Sequence, residues 1–216
     1  MVFKIYYVTL IITFAFGLYT FKGLDKNLKW FVRYLAFAVV YESLSLWDLL
    51  LWHNTDSWCM NFEEMIEFCL FTFYMASIVK KANYKRKVYI GAAIVLLFAF
   101  INMFFIQGLW KLNTISEILY CLFILTLVCI YYYNLFDEAE EGLMLLKHAP
   151  FLVATGSLFY ITAKFFYYSC FSFMVYKNNY NFYILAATIP GIANMLLNIL
   201  LITAFLCSFK TNKLSL

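Results

Sequence analysis

Charge is scarce in this sequence. Asp, Glu, Lys and Arg make up 13% of the chain, while 65% of residues are hydrophobic and 22% are aromatic. A soluble fold needs polar side chains to cover its surface, so this composition excludes an ordinary water-soluble domain. Backbone breakers are scarce too: two prolines and seven glycines in 216 residues leave long stretches free to run as helix. Histidine is limited to His53 and His148, too few for a zinc site built on several histidines. The six cysteines, Cys59, Cys69, Cys121, Cys129, Cys170 and Cys207, show no metal-ligand spacing and read as small apolar fillers. Neither a metal nor a cofactor is expected.

What the chain does have is a series of apolar runs about 20 residues long, the length that crosses roughly 30 Å of hydrocarbon. They fall at 2–21, 30–52, 62–79, 88–106, 115–136, 151–173 and 182–209. The fold class expected is an all-α membrane protein, a seven-transmembrane-helix bundle forming a single domain over 1–216. A β-barrel would alternate polar and apolar residues, whereas these runs are apolar on every side. The first run lacks the strongly basic start and small-residue cleavage site of a signal peptide, so it reads as a helix.

Seven crossings put the two ends on opposite sides, and Lys and Arg decide which side is which. Twelve of the sixteen basic residues fall on one side: Lys22, Lys26, Lys29 and Arg33; Lys80, Lys81, Lys85, Arg86 and Lys87; Lys147; Lys210 and Lys213. The expected topology therefore has the N-terminus outside and the C-terminus cytoplasmic, in a bacterial inner (plasma) membrane. The basic segments 22–29 and 80–87 suit lipid headgroups or a cytoplasmic protein partner, and their spacing does not favour nucleic acid. Loops are short. The longest, 137–149, carries Asp137, Glu138, Glu140 and Glu141, so any cytoplasmic output must pass through a separate partner. A weak internal match sets Asn61, Ile66, Cys69, Leu70 and Phe71 against Asn113, Ile118, Cys121, Leu122 and Phe123 at a 52-residue offset.

The few polar residues inside the runs are the candidate site. Lys164 interrupts the sixth run with no acid near it in sequence. An ammonium at membrane depth costs about 2.5–3.5 kcal/mol on insertion scales, so it needs a wet cavity or a carboxylate from another helix. Glu42 and Asp48 on the second run are its first expected partners, with Glu67 on the third next. Glu64 and Glu117 stand three residues after Asn61 and Thr114, the spacing of an N-terminal capping box, and are read as caps. Around Lys164, helical spacing gathers Ser157, Tyr160, Tyr167, Tyr168 and Phe171 on one face. On the seventh run Asn194 and Asn198 share a stripe with Gly191, beside Pro190, which suits close helix packing or the wall of a polar cavity. The ligand or proton site candidates are thus Lys164, Glu42, Asp48, Glu67, Tyr160, Tyr167, Asn194 and Asn198.

A retinal protein would carry its Schiff-base lysine in the seventh helix, and the seventh run here has none. The segment Pro150, Phe151, Gly156 and Tyr160, followed by a helix with paired asparagines, resembles a group of small seven-helix bacterial membrane proteins. That resemblance implies a bundle in a bacterial inner membrane and carries over no activity. The leading functional expectation is a receptor-like or accessory integral membrane module, with a polar intramembrane pocket, acting through a separate cytoplasmic partner. A proton-coupled transporter or channel is the alternative, and a membrane-perturbing accessory effector of a bacterial defence or secretion system is a further one. An enzyme acting on lipid would need a nucleophile or metal-ligand pattern beside Asp48, Glu67 and His53, and none accompanies them.

Overall fold

A computed structural model describes residues 2–78, 82–137, 144–177 and 180–214. These residues form seven α-helices: α1 (Val2–Thr20), α2 (Lys26–Leu46), α3 (Ser57–Ile78), α4 (Ala82–Ile101), α5 (Thr114–Asp137), α6 (Ala149–Lys177) and α7 (Tyr180–Leu214). Five stretches, 4–23, 84–106, 114–137, 149–171 and 184–209, are long and apolar enough to cross a membrane. The remaining two, α2 and α3, hold more charge, including Lys26, Lys29, Arg33 and Glu42 on α2 and three glutamates on α3. Lys80, Lys81, Glu138, Glu140 and Glu141 lie outside the described residues.

Successive helices pack side by side, and α7 closes back on α1 with α6 as its most extensive neighbour. Helix α3 touches α2, α4 and α5 and buries residues through most of its length, from Asn61 to Ala76. Small residues set the closest approaches. A methyl group on Gly156 of α6 would stand 2.8 Å from Leu197 Cδ1 and 3.2 Å from the Leu197 Cα of α7, so the two backbones meet there with no room for a side chain.

The two ends of the bundle differ in chemistry. One end gathers the turns 47–56 and 107–113. Trp52, Trp58, Trp110 and His53 pack ring on ring there, His53 and Trp110 at 4.7 Å. Asn61 reaches across from α3, its amide donating to the carbonyl of Lys111 at 2.9 Å and its oxygen accepting from the Asn113 backbone N–H at 3.0 Å. The two asparagines of the 52-residue match thus touch each other. A widened π-type turn at Asn102–Ile106 lets the Asn102 amide donate to Gln107 and Ser116 at 2.7 and 2.8 Å. The opposite end gathers 21–25, 144–148 and the last turns of α7. There Ser208 accepts from the Asp25 backbone N–H at 3.3 Å, and Cys207 approaches the Leu146 carbonyl at 3.9 Å.

The second apolar run does not continue as helix to Trp52. Helix α2 stops at Leu46, and Asp48, His53 and Asn54 take left-handed backbone with φ of 54°, 52° and 60°. Asp and Asn are among the residues that tolerate this region, and the chain doubles back through a bridge between Trp52 and Thr55.

Gly156→Ala tests the α6–α7 contact. Its new methyl must push Leu197 or the α7 backbone away, and the expected loss is about 1–3 kcal/mol of stability, measured as a lowered unfolding midpoint in detergent.

Candidate functional site

Three helices bring the site together. On α3, Glu63 and Glu67 are four residues apart and share one face, while Glu64 points about a quarter-turn away. On α6, Tyr160, Lys164 and Tyr168 stand at i−4, i and i+4 and form one stripe. Helix α2 supplies Tyr34 from the flank. Each of these spacings is visible in the sequence, but no rule of spacing says which faces meet.

Lys164 is 5% exposed, and its ammonium bridges two carboxylates of α3, Glu64 and, at 2.8 Å, Glu67. Its charge also lies over the Tyr160 ring at 5.3 Å and near that of Tyr168 at 6.0 Å, which adds attraction from the ring quadrupoles. The tyrosine hydroxyls finish the solvation. Tyr160 donates to Glu67 Oε2 at 2.9 Å and Tyr168 to Glu64 Oε1 at 2.9 Å. Tyr34 lies 2.9 Å from Glu67 Oε2 and 3.0 Å from Glu63 Oε1. On the α5 side Glu117, 1% exposed, sets its carboxyl against that of Glu64. Burying charges is costly unless each finds partners, and here every oxygen of Glu64 and Glu67 has one.

Beside Glu67 the helices enclose a cavity. Its polar wall is Tyr6 of α1, Tyr34 of α2, Glu67 of α3, Tyr160 of α6, and Asn194 and Asn198 of α7, and its apolar wall includes Leu10, Phe31, Leu35, Phe71 and Leu201. The centre of a water molecule has about 20 Å³ to occupy there, room for one or two waters. That is far below the several hundred Å³ of an organic-ligand pocket. The site as built suits water and protons.

The candidates read from the sequence separate clearly in space. Lys164, Glu67 and Tyr160 meet directly, and Asn194 and Asn198 line the adjoining cavity. Tyr167 stays beside the centre, its ring on Tyr168 and Phe171. The first-choice partners of Lys164 are elsewhere. Glu42 takes a hydrogen bond from Tyr6 of α1, and Asp48 is exposed in the turn after α2, because the helix that would have carried it inward ends before it. The capping expectation for Glu64 and Glu117 also fails. Helix α3 begins four residues before Asn61, so Asn61 lies inside the helix and is spent on 107–113. On α5 the Thr114 N–H donates to the Leu112 carbonyl at 3.0 Å and that of Glu117 to the Asn113 carbonyl at 3.1 Å, and the Glu117 side chain turns to Glu64 instead. Glu63, Tyr34 and Tyr6 belong to the site without having stood out as candidates. The pattern Glu63, Glu64, Glu67 in a run that otherwise reads as membrane helix is the available signal.

Removing the ammonium should expose this dependence. Lys164→Met leaves two buried acids without their cation, and the expected loss is about 3–5 kcal/mol. Adding Glu67→Gln should restore part of it, giving a coupling of about 0.5–3 kcal/mol in a double-mutant cycle, while Glu42→Gln should add independently. Unfolding in detergent measures every chain of these cycles, with Glu64→Gln run in the same way. Strict additivity at both Glu64 and Glu67 would refute the contact.

No protein-family profile, curated protein or solved structure matches this chain, so its functional reading rests on the geometry of the site.

Proposed function

We propose that this chain is a receptor-like or accessory integral membrane module, whose polar centre is reached from one face of the membrane and whose output passes to a separate cytoplasmic partner. The observation that carries this reading is the one-sidedness of the polar centre. On four of the contributing helices the polar group stands toward the tryptophan end and an apolar group about one turn farther in: Glu67 is followed by Phe71 on α3, Asn198 by Leu201 on α7 and Tyr6 by Leu10 on α1, and on α2, which runs the other way, Phe31 precedes Tyr34. On α6 the residue one turn in from Tyr160 is buried Ser157, whose hydroxyl donates to the Val153 carbonyl of its own helix at 2.7 Å, and Phe205 of α7 and Val153 lie a turn deeper. Phe31, Phe71, Leu201, Phe205 and Val153 are all buried, and Phe31 packs edge-on against Phe71 and Tyr74 at 5.6 and 5.0 Å. Nothing polar bridges that layer among the described cavity-lining residues.

The excess of Lys and Arg on 22–33, 80–87, 147 and the C-terminal segment supports an N-terminus outside and a cytoplasmic C-terminus, which puts the tryptophan end outward. Tryptophans at that level fit the aromatic belt of a membrane interface. A sensor needs two bundle arrangements with different affinities for what it senses. The ion-paired network joins α2, α3 and α6, so a change at the centre shifts helices that run to the basic face. A proton-coupled transporter is the second reading, favoured by the carboxyls themselves and opposed by the apolar layer.

The test is coupling across the bundle. In a chain keeping Cys207 as its single cysteine, Glu67→Gln should change the rate of maleimide labelling at Cys207 on the order of five-fold or more, while wild-type proteoliposomes show no proton uptake above leak. Unchanged labelling would remove the receptor reading. Proton uptake that Glu67→Gln abolishes would install the transporter in its place.

A further inference from the structure

Four carboxyl groups, from Glu63, Glu64, Glu67 and Glu117, meet around the ammonium of Lys164, the one cation in ion-pair contact with any of them among the described residues. The hydrogen-bond geometry divides their roles. Glu64 and Glu67 hold the ammonium and are held by Tyr168 and Tyr160. Glu63 has neither. Its carboxyl meets the Tyr34 hydroxyl at 3.0 Å, and that same hydroxyl lies 2.9 Å from Glu67. A phenol has one proton to donate. Tyr34 therefore satisfies both neighbours only when a second proton sits on one of the two carboxyls, and Glu67, already bound to the ammonium, is the poorer place for it.

We propose that Glu63 is a proton-binding site and that Tyr34 reads its occupancy. With the proton bound, the Glu63 carboxylic acid donates to the Tyr34 oxygen and Tyr34 donates to Glu67, so α2 is tied to two of the three acids of α3. When Glu63 transfers that proton to water it becomes a carboxylate, and Tyr34 then has one proton for two anions. Its hydroxyl turns to Glu63 and leaves Oε2 of the Lys164-paired Glu67 with Tyr160 alone. The bond between α2 and the ion-paired centre is lost, while the one at its edge persists with donor and acceptor reversed.

Access supports the assignment. Glu63 is partly exposed, whereas Glu64, Glu67 and Glu117 are buried. The cavity beside Glu67 reaches Tyr34 as well and has room for a water molecule. The groups facing Glu63 are Tyr34 and Tyr41 of α2, Tyr6 of α1, Lys164 and Tyr160 of α6, and Glu64, Glu67 and Cys59 of its own helix. Lys164 is the sole cation in that set, and it is already shared by two carboxylates. This inference rests on the receptor-like reading and names the proton as what the outer centre binds.

Infrared difference spectroscopy of the full chain in lipid nanodiscs, titrated from acid to neutral pH, reads the carboxylic acid C=O band directly. A titrating band is expected in the wild type, lost in Glu63→Gln and kept in Glu42→Gln. In Tyr34→Phe it should shift in frequency, because its acceptor is gone. Should Glu63→Gln fail to fold, Glu63→Asp keeps the carboxyl and should move the band. A band at full amplitude in Glu63→Gln, unmoved in Glu63→Asp, or missing from the wild type overturns the assignment. If Cys207 labelling still responds to Glu67→Gln in that case, the receptor reading stands and only the proton is lost.

Discussion

The ammonium of Lys164 between Glu64 and Glu67 is the contact on which the rest of the arrangement depends. It lets two buried acids, Glu64 and Glu67, enter a helix that is buried through most of its length, and it ties that face of α3 to α6. The tyrosines follow from it. A charged centre out of water needs its remaining lone pairs met by donors, and Tyr34, Tyr160 and Tyr168 supply them from two helices without adding charge. Their rings at the same time complete the apolar packing, which is why a residue with one polar tip and a large apolar body recurs around the centre.

The pair also explains the unequal hydropathy of the helices. Five of the seven are apolar enough to stand in lipid by composition; of the two that are not, α3 carries three glutamates that turn toward the bundle, and α2 combines Tyr34 and Glu42, which do the same, with Lys26, Lys29 and Arg33 near its start. Tyr34 and Glu42 of α2 meet Glu67 and Tyr6, and the glutamates of α3 meet Lys164 and its tyrosines. In hydrocarbon, a polar side chain that finds a partner across a helix interface acts as glue, and one that does not is a liability. The small cavity between Glu67 and Asn194 marks where this pairing is completed by space for water instead of by a side chain.

Much of the fold is legible because membrane helices announce themselves by length and uniform apolarity. The seven runs reappear as seven helices, most boundaries moving by a few residues. The failure at 47–52 has a clear cause: Leu49, Leu50, Leu51 and Trp52 are as apolar as any helical run, and the left-handed residues that break it, Asp48, His53 and Asn54, are neither Gly nor Pro. Lys164 stands out by its chemistry, and Tyr160 by its spacing from it. Of the partners of Lys164, Glu67 is read from the sequence, though after Glu42 and Asp48, and is found paired at 2.8 Å. Glu64 is not legible, because a capping box and a buried acid have the same residue types, and only packing reveals that Glu64 and Glu117 face each other across α3 and α5. Tyr34 gives no signal at all, since one more aromatic in a chain that is 22% aromatic carries no information until its hydroxyl is placed.

The acids of α3 and the cation of α6 lie 97 and 100 positions apart along the chain. During synthesis α3 is therefore made well before the group that neutralises its acids, and Glu64 and Glu67 stand without their cation until α6 is made. The contact that organises the bundle is one the chain can form only late, and the polar centre closes only once α6 has arrived.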